Sequence, residues 1–204
     1  MNKISRRQFL RTGTAAGMLG AAVVSGATSA SACFEPELAL TCTQTAVVEG
    51  YDWGPGVKAT ILTFDRLLDP RSVRAEDIAS VVEHKESMDW GNFGGPHIVA
   101  SAPRTVTAAY TCSKNGKKLE VPSKYVCLEM SCDPNTGSPF CYDFLVGMNT
   151  WCKPYELEIN MKENSALATI FGQKVTAAVD PVVDHEDALI PQMKQFVTDG
   201  VFRG

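Results

Sequence analysis

Alternation of apolar and polar residues is the strongest pattern in this chain. Tyr155, Leu157, Ile159 and Met161 alternate with Glu156, Glu158, Asn160 and Lys162, a period of two that predicts a strand with one buried and one wet face. The stretch Val47 to Asp69, VVEGYDWGPGVKATILTFDRLLD, puts a short apolar run before Trp53-Gly54-Pro55-Gly56 and a longer one after it. Val57 to Phe64 is rich in β-branched residues, so two opening strands are predicted, with Gly54 and Gly56 supplying positive φ around Pro55. Further strands are expected at Val81 to His84, Ile98 to Ala102, Thr105 to Thr111, Tyr125 to Met130 and Gln173 to Val179. A turn at Asp69-Pro70 and a short helical turn near Ala75 to Ile78 lie between the early ones. Lys114-Asn115-Gly116-Lys117 and Asp133 to Gly137 carry turn chemistry. Short strands at regular spacing with hardly any helix predict an all-β fold, an antiparallel β-sandwich.

The first 32 residues break this pattern. They hold Lys3, Arg6, Arg7 and Arg11, no acidic residue, then TGTAAGMLGAAVVSGA and Ala30-Ser31-Ala32. This is the layout of a signal peptide, with an apolar run too short for a permanent membrane anchor of about 20 residues. Ser5-Arg6-Arg7-Gln8-Phe9-Leu10 resembles the twin-arginine signals, with Arg6, Arg7, Phe9 and Leu10 all in place, which implies export of a folded protein through that pathway. Its destination would be the periplasm, the cell surface or the medium. Cleavage after Ala32 leaves Cys33 first, which also allows lipidation. Ala30 stands where a lipoprotein site usually has Leu, which favours ordinary cleavage, so a membrane is a partner only if Cys33 is lipidated. The expected organisation is a signal peptide at 1–32, a linker at 33–44, the sandwich at 45–185 and a C-terminal segment at 186–204.

The whole chain carries a net charge of −4. Losing the four basic residues of the signal makes the remainder more acidic still, and no basic stripe is present, which argues against nucleic acid as a partner. Seven cysteines are present. Setting Cys33 aside leaves Cys42, Cys112, Cys127, Cys132, Cys141 and Cys152, an even set that reads as disulfides in an exported protein. Bridges are expected mainly among the last five, and Trp151 is expected to pack on one. The spacings contain no C-x2-C pair, so a metal or iron–sulfur cluster is the weaker reading; no cofactor is expected.

Candidate chemistry is sparse. No Gly-x-Ser-x-Gly elbow occurs. His84, His97 and His185 have no nucleophile or oxyanion motif beside them in sequence, and His185 sits in an acidic turn. The glycine-rich run Trp90 to His97 is the better candidate, a loop in which Trp90, Phe93 and His97 contact a partner or fold back over the sandwich edge. Trp53 is expected to cap the core.

Val47-Val48-Glu49-Gly50-Tyr51-Asp52-Trp53-Gly54-Pro55-Gly56, followed by a strand and by D-P-x-S-V-x-A-E-D at Asp69 to Asp77, resembles the immunoglobulin-like N-terminal domain of exported bacterial esterases. In that family the domain precedes an α/β-hydrolase catalytic domain. Pro191 to Phe196 and Gly200-Val201-Phe202 resemble the lead-in to that hydrolase. The resemblance implies a non-catalytic domain that contacts a hydrolase domain or self-associates, as a standalone protein or part of a truncated esterase. The alternatives are a small exported hydrolase with an unrecognised site and a cysteine-based redox or metal protein.

Overall fold

In this computed structural model, residues 37–88, 97–133, 135–143, 147–152, 154–184 and 186–190 are described. Ten strands follow in order: β1 (Leu38–Tyr51), β2 (Gly54–Leu68), β3 (Ile78–Met88), β4 (His97–Arg104), β5 (Val106–Cys112), β6 (Ser123–Met130), β7 (Phe140–Asp143), β8 (Met148–Trp151), β9 (Tyr155–Met161) and β10 (Val175–Val179). Single 3-10 turns at Pro70–Ser72 and Ala75–Asp77 lead from β2 to β3, the first capped by the Asp69 side chain. A five-stranded sheet in the order β10-β1-β2-β6-β5 faces a three-stranded sheet, β4-β3-β9, and β7 pairs with β8. The fold is the expected immunoglobulin-like β-sandwich.

Both inner faces follow from strand periodicity. Leu40, Cys42, Ala46 and Val48 of β1 and Tyr155, Leu157 and Ile159 of β9 share one core with Leu62, Phe64, Val81, Val126 and Leu128. β1 begins at Leu38, inside the expected linker, because its alternation of buried and exposed positions already starts at Leu40. There it pairs in parallel with β10. At the other boundary, Leu189 exchanges backbone hydrogen bonds with Ala46 and Val48, so the segment from 186 to 190 belongs to the sandwich edge.

On β2 the alternation is interrupted. Val47 faces Ala59 and Val48 faces Val57, so Lys58 is an extra residue opposite none, a β-bulge. The bulge flips the faces. Val57 lies in the main core, whereas Ala59 and Ile61 turn to the opposite side of the sheet and pack with Cys112 and Cys127. Lys58 then reaches Glu49 at 2.9 Å.

The β1–β2 connection differs from the expected Trp-Gly-Pro-Gly turn. Tyr51 pairs with Gly54, so Asp52 and Trp53 form the turn and Pro55 and Gly56 are already in the strand. Gly54 has φ of 126°, while Gly56 is needed for space: a Cβ there would lie 2.7 Å from the Trp53 ring. Trp53 does not cap the core; its ring stacks on Tyr51 at 4.8 Å. Trp151 packs edge-on between Phe140 and Tyr155, at 5.8 and 5.6 Å.

Two buried polar links tie the layers. Gln44 of β1 donates from Nε2 to the carbonyl oxygens of Leu157 and Asp180, both at 2.8 Å, and accepts from Thr60 Oγ1 at 3.2 Å. Arg104 of β4 donates from Nη1 to Glu83 Oε2 at 2.7 Å and from Nη2 to the carbonyls of Val57 at 2.7 Å and Ser131 at 2.9 Å. One guanidinium therefore holds the three-stranded sheet to the five-stranded one.

Candidate functional site

A search for chemistry starts with ionisable groups in unusual surroundings. Glu83 and Arg104 have side chains 1% and 0% exposed. A charge is tolerated in such a place only when paired and hydrogen-bonded. Tyr155 donates to Glu83 Oε2 at 3.1 Å. Glu83 Oε1 accepts no hydrogen bond and has only the Lys85 ammonium at 3.5 Å beside it. Burial, reinforced by Glu83, drives the Tyr155 hydroxyl well above its ordinary pKa. Gly137 seals the cluster, because a Cβ there would come within 2.8 Å of Cys132 Sγ and 3.0 Å of Arg104 Nη2. With the Arg104 donors committed to backbone carbonyls and Glu83, this cluster joins the two sheets.

A second constellation lies on the outer face of the three-stranded sheet. His84 stands directly across from Ser101 on β4 and Glu156 on β9. Its Nδ1 is 2.8 Å from Ser101 Oγ and its Nε2 is 3.3 Å from Glu158 Oε2. Asn160 donates to Glu158 Oε1 at 3.2 Å, and these two partners, Asn160 first, hold the Glu158 carboxyl below its ordinary pKa. Hydroxyl, imidazole and carboxylate in a row is the order used in acyl transfer. Sequence reading missed it because the three residues lie on three strands and meet only through register. Here the row lies flat on a pleated face. Two clefts, of about 540 and 600 Å³, are lined by other residues, so the row is not walled by either.

Among the described residues there are six cysteines, none bonded to another in this structure: Cys42, Cys112, Cys127 and Cys152 are buried, and Cys132 and Cys141 partly so. Cys42 packs in the main core, where burial and then the nearby Asp180 push its pKa from an ordinary 9.0 up to about 12. Cys132 donates to the Val57 carbonyl at 3.0 Å and receives Arg104 Nη2 at 3.2 Å. Thr43 pairs with Thr63, so Cys42 lies at the level of Phe64, seven residues along β2 from Val57, on the order of 23 Å at strand spacing. Cys42 and Cys132 cannot bridge each other. Among the described residues, no three His, Cys, Asp or Glu side chains gather as a metal site.

Of the exposed large apolar side chains, which include Val121, Met148, Val182 and Ile190, three lie at the end of the sandwich opposite the Asp52–Trp53 turn. Phe171 is 88% exposed, and Leu67 and Ile170 are each 41% exposed. Ile170 N–H donates to the Leu67 carbonyl at 3.2 Å, which sets these residues side by side. Ile170 also lines the cleft of about 540 Å³ with Pro70, Tyr110, Lys118, Leu119 and Pro122.

Of the residues singled out from sequence, Arg6, Arg7, Phe9, Leu10, Ala30, Ala32 and Cys33 lie outside the described residues, as do Trp90, Phe93 and His185. His97 opens β4, its backbone opposite Met88.

The Cys42 surroundings set a pH dependence. A thiol whose folded pKa is raised keeps its proton in the native state while the unfolded chain loses it, so stability falls as pH rises from about 9 towards 12. Urea unfolding of the full chain at pH 8 and pH 10.5 should show this loss. Cys42→Ala should flatten it by up to about 1.4 kcal/mol per pH unit; an unchanged slope would refute the assignment.

A family model described as esterase Ig-like N-terminal domain matches residues 43–180, from early β1 to just past the end of β10. No curated protein matches the chain significantly. Among solved structures, a thermostable esterase is similar over 67% of this chain and 35% of its own, at 16% identity and a TM-score of 0.39. This chain thus spans about a third of that esterase's length. The family match covers more than half of the chain and nearly all of the sandwich, and the protein belongs to the family of esterase Ig-like N-terminal domains.

Proposed function

We propose that this chain is an exported, non-catalytic immunoglobulin-like domain that serves a hydrolase domain, by contacting it or by self-association. The family match over residues 43–180 carries the reading, since a domain of that description is one part of an esterase. The buried chemistry supports it: Arg104, Glu83 and Tyr155 bond one another and the backbone. The exposed Leu67, Ile170 and Phe171 supply an apolar face suited to a protein partner. A second reading, a small hydrolase in its own right, is favoured by one observation, the row Ser101–His84–Glu158. It is the weaker one because a hydrolase also needs donors aimed at a developing oxyanion and a cavity that excludes water.

Purified full chain incubated with a short-chain nitrophenyl ester separates the two readings. The proposal expects no turnover above buffer and no difference between the wild type and Ser101→Ala. Turnover that Ser101→Ala abolishes would establish the hydrolase instead. Export rests on Ser5-Arg6-Arg7-Gln8-Phe9-Leu10. Arg6→Lys combined with Arg7→Lys should keep the protein in the cytoplasm, and normal amounts of the double variant outside it would refute the twin-arginine assignment.

A further inference from the structure

Four of the six described cysteines meet in twos. Cys112 on β5 faces Tyr125, and Cys127 on β6 lies two residues beyond Tyr125. Cys141 on β7 faces Thr150, and Cys152 lies two residues beyond Thr150. Both twos are the same diagonal of an antiparallel pair. Diagonal neighbours of such a pair stand about 7–8 Å apart, somewhat less between Cβ atoms, and strand twist makes the two diagonals unequal. The members of each two also act on each other's ionisation: Cys127 helps to raise the Cys112 pKa, and Cys141, after burial, helps to raise that of Cys152. Cys112 and Cys127 share the small cluster on the outer side of the five-stranded sheet, under Tyr110, Tyr125 and Leu189. Cys141 packs on the core that contains Cys152.

We infer that this domain takes two disulfides, Cys112–Cys127 and Cys141–Cys152, and keeps Cys42 and Cys132 as thiols. Going from thiol contact to an S–S bond of about 2.05 Å requires some approach of the backbones. The fold permits it where these pairs lie: β5 is an edge strand of its sheet, and β7–β8 is a two-stranded ribbon. Cys132 is excluded by its own partners, the Val57 carbonyl and the Arg104 guanidinium, and Cys42 by its distance along β2.

The oxidant is a disulfide, R–S–S–R, of small-molecule or protein kind. In the first pair the Cys127 thiolate attacks one sulfur of the oxidant. That forms a mixed disulfide and releases one R–S⁻, which takes up the proton Cys127 has lost. Cys112 then gives up its proton and its sulfur attacks Cys127 Sγ, expelling the second R–S⁻, which leaves as R–SH. Two electrons and two protons pass to the oxidant, and one S–S bond is exchanged for another. The neighbouring Cys112 lowers the Cys127 pKa against the opposing effect of burial, in keeping with Cys127 attacking first. In the second pair Cys141, the more exposed sulfur, attacks first and Cys152 resolves.

Full chain is folded in a mixture of reduced and oxidised glutathione, and a second sample is recovered from an oxidising compartment. Remaining thiols are capped under denaturing conditions and peptides are mapped by mass spectrometry without reduction. Cross-linked peptides joining Cys112 to Cys127 and Cys141 to Cys152, with Cys42 and Cys132 capped, are expected in both samples. Cys112→Ser and Cys141→Ser should each remove one cross-link and leave the former partner fully cappable. A bridge involving Cys42 or Cys132, any other pairing, or complete capping of all six cysteines in both samples would overturn the assignment. The ester assay is indifferent to this result, so the two proposals fail separately.

Discussion

Arg104 is the residue on which the arrangement of layers depends. It sits at the end of β4, yet its guanidinium reaches Glu83 on β3 and the carbonyls of Val57 and Ser131 in the facing sheet. Only arginine offers five donors in a rigid fork, enough to bind a carboxylate and two carbonyls at once. Removing one partner strands the other charge in the core, which typically costs about 3–5 kcal/mol. Gln44 makes a neutral version of the same link from β1 to Leu157 and Asp180. Between them these side chains fix which residues of the two sheets face each other, something apolar contact alone specifies weakly.

The same arrangement explains why the interior offers so little chemistry. Glu83, Tyr155 and Cys132 are the groups whose surroundings would otherwise mark a reactive site, and each is bound to the Arg104 cluster. What remains outside is a polar strand face bearing Ser101, His84 and Glu158 and an apolar end bearing Leu67, Ile170 and Phe171. A sandwich with apolar side chains at one end is in keeping with the proposed service to a hydrolase domain.

Much of the fold was legible because strand periodicity is a local signal. The Tyr155–Met161 alternation marks β9 to the residue, and the β5, β6 and β10 expectations fall within two residues of the strands. Features that depend on partners were hidden. The Lys58 bulge shows only when β1 and β2 are aligned. β7 and β8 are four residues each, too short for a period to stand out among cysteines and turn residues. β1 starts before the expected boundary because exposed Thr41 and Thr43 alternate with buried Leu40, Cys42 and Gln44. Cysteine spacing pointed to bridges, but the pairing and the separation of Cys42 from Cys132 needed the register. The Ser101–His84–Glu158 row was likewise invisible in sequence.

The most direct test of the Arg104 link is a double-mutant cycle in the full chain, with Glu83→Met, Arg104→Met and the pair compared by urea unfolding at neutral pH. If the ion pair holds the sheets together, each single change destabilises strongly. The double variant then costs less than the sum of the two by about 1–3 kcal/mol, since it leaves no charge stranded. Effects that add within about 0.5 kcal/mol would mean that the two side chains do not depend on each other, and this account of the core would be wrong.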